Sequence, residues 1–144
     1  MPKSRPSTGA WREDGQVNRP VMPTTIAPPA ARYAHAVLSE APARLLHISG
    51  QVPVAPDGTI PAAIGDQAGV VWANIMAILA EAGMAITDVV AITTYVVSGQ
   101  DLAPVMAARD VACAGHLVAS TLVTVPALVR PEWLVEIAVV AADG

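Results

Sequence analysis

Several residue types are scarce in this chain of 144 residues, and each scarcity excludes a class of protein. Charged residues make up only 14% of the chain, the formal net charge is −4, and the single lysine is Lys3. Without a basic stripe the chain is poorly suited to bind a phosphate backbone, so we expect no nucleic-acid partner. The one cysteine, Cys113, cannot form an internal disulfide, and the sequence therefore does not require an oxidising compartment.

Long apolar runs and an apolar leader are also missing. No run approaches the roughly 20 residues that a membrane-spanning helix needs, so we expect no membrane partner. Residues 1–6 are polar and lack the apolar region of a signal peptide. These features together predict a cytoplasmic protein.

Aliphatic side chains must form the core, because phenylalanine is absent while 53% of the residues are hydrophobic. The length suits a single domain. A monomer of this size cannot hide so much aliphatic surface, which favours a buried subunit interface. Residues 1–30 hold six of the thirteen prolines and show no sustained periodicity. They are predicted to form a proline-rich N-terminal arm, followed by one domain over residues 31–144.

Beyond the arm, the hydrophobic pattern predicts strands and two helices. Residues 66–82 place apolar side chains at steps of three and four, with Asp66 able to cap the start and Gly83 the end. A second helix is predicted from Asp101 to Gly115. Short apolar or β-branched segments predict strands at 33–38, 45–49, 52–55, 89–98, 119–125 and 134–141. This order indicates an α+β sandwich with the helices on one face of a sheet, and its other face requires a partner.

Glu136 is the most informative single residue, because it is the only ionisable group within residues 134–140. If the strand lies in a core, an ionised carboxylate there is costly unless it is paired. Burial raises the pKa of a carboxyl group, which suits a general acid or base. The alternative is an edge position from which Glu136 points to solvent, and the pattern alone does not decide between the two.

Ser49 and Gly50 close a strand, where glycine permits close approach of a ligand and serine offers a hydroxyl group. An ordinary exit from a strand into a turn explains the same two residues. His35, His47 and His116 lack the spacing of metal ligands, so no metal site is predicted. No nucleotide-binding loop or nucleophile motif occurs, and no cofactor is expected.

Five sequence blocks follow one another over about residues 33–142. Tyr33 stands in a short segment before the first strand. The other blocks are His-Ile-Ser-Gly-Gln-Val-Pro at 47–53, the helix with Gln67, Asn74 and Glu81-Ala82-Gly83, Asp-Val-Val at 88–90 with Thr-Thr-Tyr-Val at 93–96, and Leu-Val-Glu-Ile at 134–137. In this order and at these separations, the blocks resemble the Rid (YjgF) family.

The resemblance implies a chorismate-mutase-like (YjgF-like) α+β sandwich. It implies a mixed six-stranded sheet with two helices on one face and a homotrimer whose sheets form a central barrel. Small-molecule clefts are then expected at the three subunit interfaces. In one branch of the family the reaction is hydrolysis of an enamine or imine to a 2-keto acid and ammonia. Transferred by position, Glu136 is the catalytic glutamate, and Tyr33, Ser49 and Gly50 line the cleft.

One departure from the family pattern lies at residues 118–121, Val-Ala-Ser-Thr. In the deaminase branch an arginine stands at the position of Ser120 and binds the substrate carboxylate through two parallel hydrogen bonds. Serine has neither the positive charge nor the pair of parallel N–H donors of a guanidinium. Ser120 and Thr121 are therefore expected to line an altered cleft. Arg130 and Arg32 are candidate replacements, although the favoured interpretation is that both are surface residues.

Two functional hypotheses follow. The first is a hydrolase or tautomerase for a small enamine or imine, with Glu136 as acid and base. The second is a non-catalytic trimer that binds a metabolite or uses its arm as a scaffold, which the loss of the arginine favours. Ribonuclease activity is the least favoured hypothesis, because the chain is acidic overall.

Overall fold

The computed structural model describes residues 16–144, which form six strands, two α-helices and one short 3-10 helix. The strands are β1 (Asn18–Val21), β2 (Ala36–Ser39), β3 (Arg44–Gln51), β4 (Val89–Val97), β5 (Ala119–Val125) and β6 (Val135–Asp143). The helices are α1 (Ile64–Glu81) and α2 (Ala103–Cys113), and the 3-10 turn spans Ile86–Asp88. Within this part of the chain, no helix combines the length and apolarity required to cross a bilayer.

The strands form a four-stranded mixed sheet and a separate two-stranded ribbon. The order in the sheet is β3-β6-β4-β5, with β4 and β5 parallel and the other neighbours antiparallel. Strands β1 and β2 pair antiparallel, and one bridge between Ala34 and Ala119 links their segment to the edge of the sheet. The predicted α+β class with two helices and a mixed sheet is confirmed, while the six strands divide four and two instead of forming one continuous sheet.

The core lies between the helices and one face of the sheet. Alternation along β6 sends Val135, Ile137 and Val139 into this core, where each is at most 1% exposed. Helix α1 adds a buried stripe at steps of three and four: Ala68, Val71, Trp72, Ile75 and Leu79. It begins two residues before the predicted start, so Asp66 lies in its first turn, and Gly83 follows it with a φ of 69°.

Three segments differ from the predicted elements. Strand β1 lies inside the predicted arm. The side chain of its first residue, Asn18, donates a hydrogen bond to the Ala142 carbonyl at 2.8 Å. Residues 52–55 form no strand, because Pro53 offers no N–H group to a ladder and the chain turns there. Helix α2 is two residues shorter at each end than predicted, and Leu102, not Asp101, is the residue at its N-cap. Asp101 stands one residue earlier and accepts a hydrogen bond from the Ala103 N–H at 3.0 Å.

The face of the sheet that points away from the helices, here called the open face, carries both polar and apolar side chains. Leu45 is 58% exposed and Val123 is 40% exposed on this face. Glu136 and Tyr95, paired across β6 and β4, are half-buried there.

Candidate functional site

Glu136 lies on β6, between β3 and β4, and its side chain is on the open face. It is therefore at neither an edge of the sheet nor the core, and its half-buried carboxylate points over Gly50. A Cβ atom built on Gly50 would lie 2.9 Å from both Cδ and Oε2 of Glu136. The absence of a side chain at position 50 therefore makes room for this carboxylate.

A bulge in β3 brings Gly50 to this position. Ile48 pairs with Val139, but Gln51 pairs with Ile137, so the register shifts across Ser49 and Gly50. Such bulges redirect the backbone and its side chains. Ser49 is exposed beside Gly50, and its carbonyl accepts a hydrogen bond from the Gln51 side chain at 2.9 Å. The structure thus brings three predicted site residues together: Glu136, Gly50 and Ser49.

The other predicted site residues line a separate cavity of about 370 Å³, here called the β5-edge cavity. It lies between α2, the segment before β2 and strand β5. Its lining residues are Ala31, Tyr33, Met106, Arg109, Ser120, Thr121 and Leu122. The Tyr33 hydroxyl accepts a hydrogen bond from the Ala30 N–H at 3.3 Å, which leaves its own O–H able to donate. Tyr33, Ser120 and Thr121 therefore form the second group.

Arg109 is the residue of this cavity that sequence reasoning missed. It is only 7% exposed, and its Nη1 donates to the Ser120 hydroxyl at 3.4 Å. A sequence signal existed, because Val105, Arg109 and Cys113 are the buried residues of α2 at steps of four, which places a charge on an apolar stripe. Arg32 and Arg130 are both exposed, as the favoured interpretation held, and the Arg130 guanidinium lies over the Trp133 ring at 5.7 Å.

Glu136 and Ser120 lie on opposite faces of the sheet, whereas Thr121, paired with Thr93, shares the open face with Glu136. Ser120 pairs with Ile92, which faces the helices, whereas Glu136 pairs with Tyr95 on the open face. Residues 92 and 95 are three positions apart on one strand, and their side chains therefore point in opposite directions. Within one chain, Glu136 therefore projects away from Ser120 and from the Arg109 guanidinium that contacts it.

The titratable side chains of residues 16–144 were also compared with the requirements of a metal site and of a nucleophile. Among residues 16–144 no group of three or more histidine, cysteine or acidic side chains is placed to hold a metal ion. Cys113 is the last residue of α2 and is buried, and this burial raises the pKa of its thiol. It is therefore a poor nucleophile in the folded protein.

The fold and the two groups define an α+β protein that presents a lone carboxylate on an open sheet face and a small polar cavity at a sheet edge. A family model described as Endoribonuclease L-PSP matches residues 24–143. The chain belongs to this family, and solved relatives carry the Rid name that the sequence motifs indicated.

Solved structures of two relatives share the fold. The Rid-family protein YyfB of Yersinia pestis, whose function is described as unknown, is 32% identical and superimposes with a TM-score of 0.81, covering 88% of this chain and 99% of its own. Escherichia coli TdcF, solved with bound serine, is 26% identical in sequence and superimposes with a TM-score of 0.65. The superposition covers 88% of this chain and 100% of TdcF.

A sequence comparison reaches the same relative. TdcF of Escherichia coli (strain K12), provisionally named a reactive intermediate deaminase, is 36% identical over 62 residues. The matched segment is 42% of this chain and about half, 48%, of the relative.

Proposed function

We propose that this protein is a cytoplasmic homotrimeric hydrolase that converts a small reactive imine or enamine into a carbonyl compound and ammonia. Glu136 carries the proposal, because it is a half-buried carboxylate, seated over Gly50 on the open face, that can take up and return a proton. Family membership and the partial match to a reactive intermediate deaminase support this reaction class.

The chemistry requires one group that first accepts and then donates a proton. The Glu136 carboxylate takes a proton from water as the water oxygen bonds to the imine carbon, and the C=N π electrons move to nitrogen, which takes up a proton from solvent. The resulting carbinolamine collapses when Glu136 returns its proton to the nitrogen. The C–N bond then breaks, the hydroxyl proton passes to solvent, and ammonia leaves with a new C=O bond. An enamine enters the same sequence after a proton adds to its carbon.

A complete cleft in this proposal forms between two protomers. Glu136, Ser49 and Gly50 of one open face would meet Tyr33, Ser120 and Thr121 at the β5 edge of the next protomer. Two observations support this arrangement: Glu136 and Ser120 lie on opposite faces of one sheet, and the exposed Leu45 and Val123 mark the open face as a surface that association would cover.

The decisive measurement is ammonia release from a freshly generated 2-imino acid, such as the product of an amino-acid oxidase. The wild type should accelerate release, and Glu136→Ala should lose roughly 10²- to 10⁴-fold of that acceleration. Glu81→Gln, which removes an exposed carboxylate on α1, is the matched control and should behave as the wild type. No acceleration by the wild type, or full acceleration by Glu136→Ala, would refute the proposal.

A metabolite-binding trimer without catalysis is the second candidate. Its support is that the related TdcF structure contains bound serine, which shows that a protein of this fold binds a small amino acid. In that case serine would bind to the wild type and to Glu136→Ala alike, while neither protein would accelerate ammonia release. The acidic net charge of −4 offers no comparable support for a ribonuclease.

A further inference from the structure

Arg109 is a buried cation whose hydrogen-bonding capacity is only partly used. A guanidinium has five N–H donors and no acceptor. Nε and Nη2 donate to the same Asp110 oxygen at 3.3 and 3.2 Å, and Nη1 donates to Ser120 at 3.4 Å. One N–H on each terminal nitrogen therefore has no partner among the described residues. The unused N–H of Nη2 points to the end of the guanidinium that Nη2 shares with Nη1, which is an edge that binds a carboxylate.

The surroundings of that edge also suit an anion. Arg109 lines the β5-edge cavity together with Ser120 and Tyr33, whose hydroxyl oxygens each accept a hydrogen bond and whose O–H groups remain able to donate. Asp110 contacts the guanidinium from the Nε side, and no acidic side chain lines the cavity itself. A buried donor left without a partner is costly, so a ligand that supplies oxygen atoms is favoured there.

The serine at position 120 fits this arrangement. Its Oγ is 3.4 Å from Nη1 of Arg109, so an arginine at position 120 would bring its longer side chain into the space beside the first guanidinium. Two guanidinium groups in one small, partly buried cavity repel each other. A small hydroxyl instead accepts from Arg109 and leaves the cavity open.

We infer that Arg109, supplied by α2, is the anion-binding residue of this protein and binds the carboxylate of a small 2-oxo or 2-imino acid. The ligand class rests on the proposed function, whereas the anion site follows from the geometry alone. Arg109 of α2 thus takes the place of the arginine that is missing from β5. The protein therefore keeps a preference for ligands with a carboxylate.

The test measures equilibrium binding of pyruvate and of its neutral amide, pyruvamide, by calorimetry with the assembled protein. The wild type should bind pyruvate more tightly than pyruvamide. Arg109→Gln should weaken pyruvate binding roughly 10- to 100-fold and leave pyruvamide binding unchanged, because charge-assisted hydrogen bonds are lost. Arg130→Gln, which removes an exposed arginine, should match the wild type for both ligands.

Two further variants keep the test decisive if Arg109→Gln folds poorly. Arg109→Lys keeps the positive charge but loses the paired N–H donors of the guanidinium, and this variant should retain only part of the preference for pyruvate. The double variant Arg109→Ser with Ser120→Arg moves the guanidinium to β5 and should restore the preference.

The inference is overturned if Arg109→Gln binds pyruvate as the wild type does, or if the wild type shows no preference for the charged ligand. Because binding is measured without turnover, the two proposals fail separately. If pyruvate binding depends on Arg109 but the protein does not hydrolyse imines, only the proposed function is refuted. If Arg109→Gln leaves imine hydrolysis unchanged, only the present inference is refuted.

Discussion

At the scale of single residues, the position of the Glu136 carboxylate depends on a residue without a side chain. The φ of Gly50 is not positive, so its backbone can accept alanine, but the new Cβ would lie 2.9 Å from Cδ of Glu136. The flexible carboxylate must move. We expect Gly50→Ala to change the free energy of unfolding by no more than about 1 kcal/mol. Imine hydrolysis should fall at least about tenfold, measured by ammonia release alongside urea unfolding.

The matched control for this substitution is Gly69→Ala. Gly69 lies within α1, and a Cβ there meets no atom within 4 Å. Alanine should stabilise the helix by up to about 1 kcal/mol and leave hydrolysis unchanged. Wild-type activity in Gly50→Ala would show that the carboxylate does not need the space above residue 50.

Local sequence signals single out Glu136 and Gly50 as candidate site residues, whereas the charge of Arg109 on an apolar stripe does not by itself place it beside Ser120. Glu136 interrupts an apolar strand and Gly50 ends one, so both are visible in a short window. The role of Arg109 depends on Ser120, which lies on another element and contacts it only after α2 packs against β5. The sequence shows that serine stands at position 120 where the deaminase branch has arginine. That Arg109 can take the place of the missing arginine becomes apparent only when α2 is packed against β5.

At the scale of elements, Gln67 joins α1 to the two loops that flank the site. It is 1% exposed; its Nε2 donates to the carbonyls of Pro61 and Glu132 at 2.8 Å, and its Oε1 accepts from the Leu134 N–H at 2.9 Å. Gln67→Met keeps the length but removes all three bonds. We expect a loss of roughly 2–4 kcal/mol in the free energy of unfolding, measured by urea titration.

Asn74 provides the comparison on the same helix. Its Nδ2 makes one hydrogen bond, to the Val54 carbonyl at 3.0 Å, and the residue is half-buried. Asn74→Leu should therefore cost about 1 kcal/mol. If Gln67→Met and Asn74→Leu lowered the free energy of unfolding equally, the number of hydrogen bonds removed would not determine the loss of stability.

Element boundaries were predictable where periodicity is long, and not at β1. Helix α1 and strands β4 to β6 carry sustained patterns, and their predicted bounds lie within about two residues of the observed ones. Strand β1 has four residues, one of them Pro20, and lies at an edge, where proline is tolerated. Its place is set by β2 and by the Asn18 contacts, which no local pattern contains.

At the scale of the whole molecule, the open face should determine the oligomeric state. We expect the wild type to have a mass of about three times the 14.8 kDa chain in light scattering. Leu45→Asp places a charge on the open face and should yield monomers without imine hydrolysis. Because Leu45 is 58% exposed in the isolated chain, the variant should still fold, as circular dichroism would show.

The control for association is Val111→Asp. Val111 is 80% exposed, but it lies on α2 and not on the open face. This variant should keep the mass and activity of the wild type. Monomeric wild type, or a Leu45→Asp variant that still associates, would contradict a role for the open face.

The opposite faces of Glu136 and Arg109 allow a test of whether the active site is shared between protomers. Glu136→Ala and Arg109→Gln should each be impaired alone. When the two are mixed, unfolded and reassembled in equal amounts, random cyclic trimers should contain intact Arg109 facing intact Glu136 at roughly a quarter of their interfaces. The mixture should then regain about that fraction of wild-type hydrolysis. If both residues served a site within one chain, no mixture could unite them, and activity would stay at the level of the separate variants.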